Sequence, residues 1–96
     1  LSEDFILSLS FPNPSYGNIV NFNLEIYESQ NISFLINDII GNSIWEISRE
    51  FIGPGIVPFS WYGMNTNGNK VSNGIYFLTA KGKSSKQTQK LILLKN

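Results

Sequence analysis

Between Trp61 and Phe77 the chain packs an aromatic pair, two Asn-Gly steps (Asn67-Gly68 and Asn73-Gly74) and the apolar run Ile75-Tyr76-Phe77 into seventeen residues. Asn and Gly tolerate the positive φ of tight hairpin turns, so turn chemistry this dense belongs with short antiparallel strands. Val20-Asn21-Phe22-Asn23-Leu24-Glu25-Ile26 leads to the same conclusion, because apolar and polar residues alternate there without a break. A period of two puts Val20, Phe22, Leu24 and Ile26 on a core face and Asn21, Asn23 and Glu25 in water. No helical spacing reproduces it.

The other strands fall around these segments. Phe5 to Phe11 alternates well enough for a first strand, stopped by Pro12. Pro12 to Gly17 reads as a rigid loop whose two prolines fix φ and remove N–H donors. Ile32 to Asp38 is a third strand with Ile32, Phe34 and Ile36 inward, and Gly41-Asn42 turns it into a fourth, Ser43 to Phe51, of mixed character. Val57, Phe59 and Trp61 share one face of a fifth strand, where Pro58 demands an edge or a bulge. Ile75 to Lys81 is apolar on both faces near its start, as a central strand would be, and Thr88 to Lys95 ends the series. Seven short strands about ten to twelve residues apart, with turn signals between them and no helical stripe, predict an antiparallel β-sandwich. Residues 1–96 are one domain, large enough for a single core, and Leu1 to Asp4 are expected to be the end of an upstream linker.

Composition removes whole classes of function. The chain has neither Cys nor His, which excludes disulfides, thiol nucleophiles, imidazole triads and thiolate or imidazole zinc sites. Glu25, Glu28, Asp38, Glu46 and Glu50 mostly sit at outward positions or beside turns, not as a carboxylate pair flanking a sugar. No nucleophile elbow or phosphate-binding Gly loop is present. The reading is therefore non-enzymatic, with no catalytic, cofactor-binding or metal residue. Asn65, Thr66, Asn67 and Asn69 offer oxygens to a cation, but calcium loops need carboxylates and none lies between Gly63 and Asn73. No Arg cluster interleaves with aromatics and the pI is about 6.4, which argues against nucleic acid. No run is long enough to span a bilayer as a helix.

A formal net charge of zero hides an asymmetry. All seven acidic residues lie between Glu3 and Glu50, and six of the seven basic ones between Lys70 and Lys95. Neighbouring strands would let the two halves neutralise each other. Otherwise the lysines form a basic face suited to an anionic partner.

Several motifs occur in a fixed order: Phe11-Pro12-Asn13-Pro14; Ile36 to Ile44 with Asp38 and Gly41; Trp61-Tyr62-Gly63; Gly74-Ile75-Tyr76-Phe77; and Lys90-Leu91-Ile92-Leu93-Leu94-Lys95. Together, over about Phe5 to Lys95, they resemble the C-terminal sorting domain of the type IX secretion system of Gram-negative bacteria. The resemblance implies a seven-stranded immunoglobulin-like sandwich at the end of an exported precursor whose signal peptide lies upstream. The expected partners are the outer-membrane secretion translocon, a sortase-like protease and a covalently attached N-terminal cargo domain. Localisation would be periplasmic in transit, then the outer-membrane surface or the medium. Carried over by position, the recognition signal comprises Pro12, Asn13, Pro14, Asp38, Gly41, Gly74, Tyr76, Lys90 and Lys95.

The sequence departs from that family where Tyr62 and Asn65 replace acidic residues and Asn37 replaces an aromatic. The Trp-containing loop also resembles the immunoglobulin-like domain of the flagellar hook-capping protein. Two alternatives arise. One is a structural or adhesive immunoglobulin-like module. The other is a carbohydrate-binding accessory domain using Trp45, Trp61, Tyr62 and Tyr76, although alternation with Phe59 puts Trp61 in the core and Tyr62 outside.

Overall fold

The computed structural model describes residues 4–9, 15–16 and 19–94. They form a two-layer β-sandwich of seven antiparallel strands, joined by one two-residue parallel strand. In chain order these are β1 (Phe5–Leu9), β2 (Ser15–Tyr16), β3 (Val20–Ile26), β4 (Gln30–Asp38), β5 (Ser43–Phe51), β6 (Gly55–Trp61), β7 (Gly74–Lys81) and β8 (Lys86–Leu94). One sheet has the order β1-β3-β6 and the other β2-β8-β7-β4-β5. Each strand that reads clearly in the sequence is present, with described ends within two residues of those expected; Phe11 and Lys95, the expected ends of the first and last strands, lie outside the described residues. β2 pairs parallel with Leu93 and Leu94, inside the segment that reads as a loop. Two residues are too few for any periodicity to announce.

Alternation builds the core directly. Val20, Phe22, Leu24 and Ile26 from β3 face Ile32, Phe34 and Ile36 from β4, Leu78 and Ala80 from β7, and Leu91 and Leu93 from β8, all buried. Phe22, Phe34 and Phe59 pack with ring centroids 5.0–5.6 Å apart, and Phe51 joins Phe34 edge-on at 6.0 Å. Offset and tilted pairs of this kind are favoured by the ring quadrupole. β6 is an edge strand, so the missing N–H of Pro58 costs the sheet nothing at that edge.

Glutamine side chains close the sandwich between β1 and β8. The Leu7 N–H donates to Gln87 Oε1 at 2.9 Å, while Gln87 Nε2 donates to the Phe5 carbonyl at 2.6 Å. One amide thus imitates a neighbouring strand for a backbone that would otherwise lack partners. Gln30 does similar work, donating to the Asp4 and Glu28 carbonyls and accepting from the Lys83 N–H. On the opposite side Arg49 lies 5.5 Å from the Phe59 ring centroid, bridging β5 and β6.

Among the described residues the charge asymmetry is spread across the larger sheet. Acidic β5 and basic β8 are held apart by β4 and β7. An ion pair joins Lys83 to Glu28 at 3.4 Å, between two exposed side chains, where such pairs add little.

Candidate functional site

Asp38 ends β4, and its carboxylate shapes the turn into β5. Oδ1 accepts from the Ile40 N–H at 3.1 Å and the Asn42 N–H at 2.8 Å, and Oδ2 accepts from the Asn42 amide at 3.0 Å. The backbone closes the same turn, with Asp38 N–H to the Asn42 carbonyl at 3.0 Å and Gly41 N–H to the Asp38 carbonyl at 3.1 Å. Gly41 sits at φ +93°, a region that a side chain makes costly. Desolvation pushes the Asp38 carboxyl upward, but the bonds from Asn42, Ile40 and Gly41 outweigh it and hold its pKa below the ordinary value.

The loop between β6 and β7 repeats this construction. Asn65 Oδ1 accepts from the Asn67 and Asn69 N–H groups, each at 3.0 Å. The Asn65 N–H reaches the Asn69 carbonyl at 2.8 Å and the Gly68 N–H reaches the Asn65 carbonyl at 2.9 Å, with Gly68 at φ +85°. Asp38-Ile39-Ile40-Gly41-Asn42 and Asn65-Thr66-Asn67-Gly68-Asn69 are one five-residue device used twice. The signal was present in the sequence as Asx-x-x-Gly-Asn and was missed, because no strand pattern contains it. The second turn is tied to the start of β5, which follows the first: the Thr66 N–H donates to the Ile44 carbonyl at 3.0 Å. In the second turn the Asn65 side-chain oxygen serves two backbone donors, so it builds the loop and does not face outward as a cation ligand.

Below the turns lie the aromatics. Trp61 is buried, donates from Nε1 to the Met64 carbonyl at 2.9 Å, and meets Tyr76 edge-on at 5.8 Å. The Tyr76 hydroxyl donates to the Ser72 carbonyl at 2.6 Å. Desolvation, with the Asp38 charge adding to it, raises the Tyr76 pKa above 10.0. Trp61 and Tyr76 are therefore core. Trp45 is half-buried against that core and Tyr62 is exposed, so the four aromatics do not make a sugar-binding platform.

The structure brings several of the expected signal residues together. Asp38 is in register with Tyr76, Gly74 with Leu93, and Lys90 with Phe77, which places Asp38, Gly41, Gly74 and Tyr76 at one end of the sandwich. Lys90 projects from the outer face of β8. Pro12, Asn13, Pro14 and Lys95 lie outside the described residues. Of the signal residues that are described, Asp38 and Gly41 shape the turn and Tyr76 packs beneath it. What the first turn presents is Ile39 and Ile40, 68% and 80% exposed. In the sequence these isoleucines stand inside the Ile36–Ile44 motif with no periodicity to mark them. The available signal was two large apolar residues in the middle of a turn, where polar ones are the rule.

Among the described residues no three metal-capable side chains gather, and the chain has no His or Cys. No helix among the described residues is long and apolar enough to cross a membrane.

Comparison with known proteins agrees with the architecture. A solved structure of dimeric latent PorU from Porphyromonas gingivalis superposes with a TM-score of 0.69 at 16% identity, covering 96% of this chain and 10% of that one. The likeness is one of fold, and this chain spans about a tenth of that protein. No curated protein sequence matches. The family model of the FlgD Ig-like domain matches residues 17–86, from the segment before β3 to the first residue of β8. The chain belongs to the FlgD Ig-like domain family.

Proposed function

We propose that this domain is a non-enzymatic sorting signal: a folded tag on an exported cargo, recognised by the outer-membrane translocon of the type IX secretion system and removed by a sortase-like protease. Under this reading it travels through the periplasm to the outer-membrane surface or the medium. The observation that carries the proposal is the meeting of Asp38, Gly41, Gly74 and Tyr76 at one end, where a hydrogen-bonded turn displays Ile39 and Ile40. A tag needs a rigid, distinctive surface and no reactive group, and this end supplies both. The fold shared with one part of PorU supports the reading. Pro12, Asn13, Pro14, Lys90 and Lys95 complete the proposed signal.

The test is a reporter carrying its own signal peptide, fused ahead of residues 1–96 in a bacterium that has the system. The fusion is expected at the surface or in the medium, and an Ile39→Ser/Ile40→Ser fusion in the periplasm with its fold intact. Export of the reporter without the domain, or of the fusion in a strain lacking the translocon, would overturn the proposal. Truncation after Lys90 is a poor substitute, because Leu91 and Leu93 are core residues and their loss unfolds the tag.

The family match favours one second reading, an immunoglobulin-like structural module within a surface assembly. It predicts that the fusion with residues 1–96 stays in the periplasm, with or without the Ile39→Ser/Ile40→Ser change.

A further inference from the structure

The outer face of the five-stranded sheet is ordered by charge across its strands. From β5 to β8 two successive outward rows read Glu46, Leu35, Thr79, Thr88 and Ser48, Ser33, Lys81, Lys86. Glu50 continues the β5 column beyond Ser48. The acids therefore line one margin and the lysines the other. Between them lies an open floor that includes Leu35, Phe77 and Thr79. The hydroxyls on this floor already pair within the sheet, Ser33 with Ser48 at 2.9 Å and Thr79 with Thr88 at 3.0 Å.

A face with opposite charges on its two margins is complementary to itself. We infer that this face docks on the same face of a second copy, through a two-fold axis running along the strands between β4 and β7. That rotation exchanges β5 with β8 and β4 with β7 while keeping every row at its own height. Lys86 of each copy then comes opposite Ser48 of the other, between its Glu46 and Glu50. Leu35 comes opposite Thr79, next to Phe77. An axis across the strands would instead set lysine against lysine, so the charge pattern selects one of the two arrangements.

The size of the face sets the strength. Four strands spaced about 4.8 Å apart, over some eight residues rising about 3.3 Å each, present on the order of 500 Å² per copy. Two copies bury roughly 1,000 Å², the low end of specific interfaces, which means a weak and reversible dimer. A partner of a different kind would leave the isolated domain monomeric. The same floor reaches Asp38, Ile39 and Gly41, so this face borders the turn of the proposed signal, but the dimer is read by mass and the sorting role by export, and either can fail alone.

Sedimentation velocity from about 5 to about 500 μM tests it, a range chosen for an interface this small. The expected result is a mass rising from 10.8 kDa toward twice that value, and falling again in about 1 M salt as the ion pairs are screened. Lys86→Glu alone and Glu46→Lys/Glu50→Lys alone should each be monomeric, because each sets like charges together in its own homodimer. Mixed in equal amounts they should associate, because both halves of the heterodimer are then complementary. All three side chains are exposed, so circular dichroism should report an unchanged fold. A single 10.8 kDa species at every concentration overturns the inference. So does a dimer indifferent to these substitutions, or failure of the mixed variants to associate.

Discussion

Asp38 holds its turn with a carboxylate, whereas Asn65 holds the sister turn with a neutral amide through the same backbone bonds. The pair forms a natural control for the role of charge. Because the folded-state pKa of Asp38 lies below 3.8, its contribution is complete above about pH 5 and disappears as pH falls through the folded value. Asp38→Asn should keep the fold, as Asn65 shows an amide can, and should lose part of the acid sensitivity. Asp38→Ala should melt lower than the parent at neutral pH. Thermal melts between pH 7 and pH 2 check both outcomes. Asp4, also depressed through its bonds from Ser84, leaves a residual acid dependence in either variant.

Glycines separate two physical effects at the same scale. Around Gly41 and Gly68 an added Cβ meets nothing within 4 Å, so the cost of Ala there is conformational alone, about 1–2 kcal/mol. At Gly82 a Cβ would instead come within 2.7 Å of the Phe5 ring and would also press on the Gln30 side chain. Gly82→Ala should cost about 1–3 kcal/mol through overpacking. Urea unfolding should show the two classes, and only Gly82→Ala should shift the Phe5 ring resonances.

At the scale of elements, the strands were legible because each buries one face. β3 shows this most plainly: its alternation in sequence is its alternation in burial. β5 reads as mixed because it is an edge strand with most of its side chains at least partly in water. What could not be read was chemistry between elements. Nothing local marks Gln87 as different from Gln89, yet Gln87 supplies both a donor and an acceptor to β1, 80 or more residues away. Gln87→Ala would leave the Leu7 N–H and the Phe5 carbonyl without these partners, a loss of about 1–3 kcal/mol. Faster hydrogen exchange at Leu7 than in β3 would locate the effect. The candidate site was legible in part for the same reason. Asp38 and Gly41 carry a local turn signal, whereas the meeting of Gly74 and Tyr76 with that turn depends on β4 pairing with β7.

For the whole molecule, the first strand and the last are mutually dependent. Asp4 and Phe5 bond to Ser84, Ser85 and Gln87, β2 leans on Leu93 and Leu94, and Leu91 and Leu93 are fully buried. Removing residues 91–96 therefore exposes the core and strips β2 of its partner. Two buried leucines are worth about 3–6 kcal/mol together. A domain of this size is stable by only about 5–15 kcal/mol. Residues 1–90 should be unfolded by circular dichroism and should not become folded on cooling to 10 °C. The intact domain should unfold in one cooperative step and refold in milliseconds to seconds, as sandwiches dominated by distant pairings do. Stopped-flow Trp fluorescence in a Trp45→Phe background measures this through Trp61, whose burial requires β3, β6 and β7 to have assembled. A chain of residues 1–90 that kept the buried Trp61 emission would show that the two ends are not one cooperative unit. The Ile39–Ile40 turn would then persist without β8, and any role it has in recognition could be separated from completion of the fold.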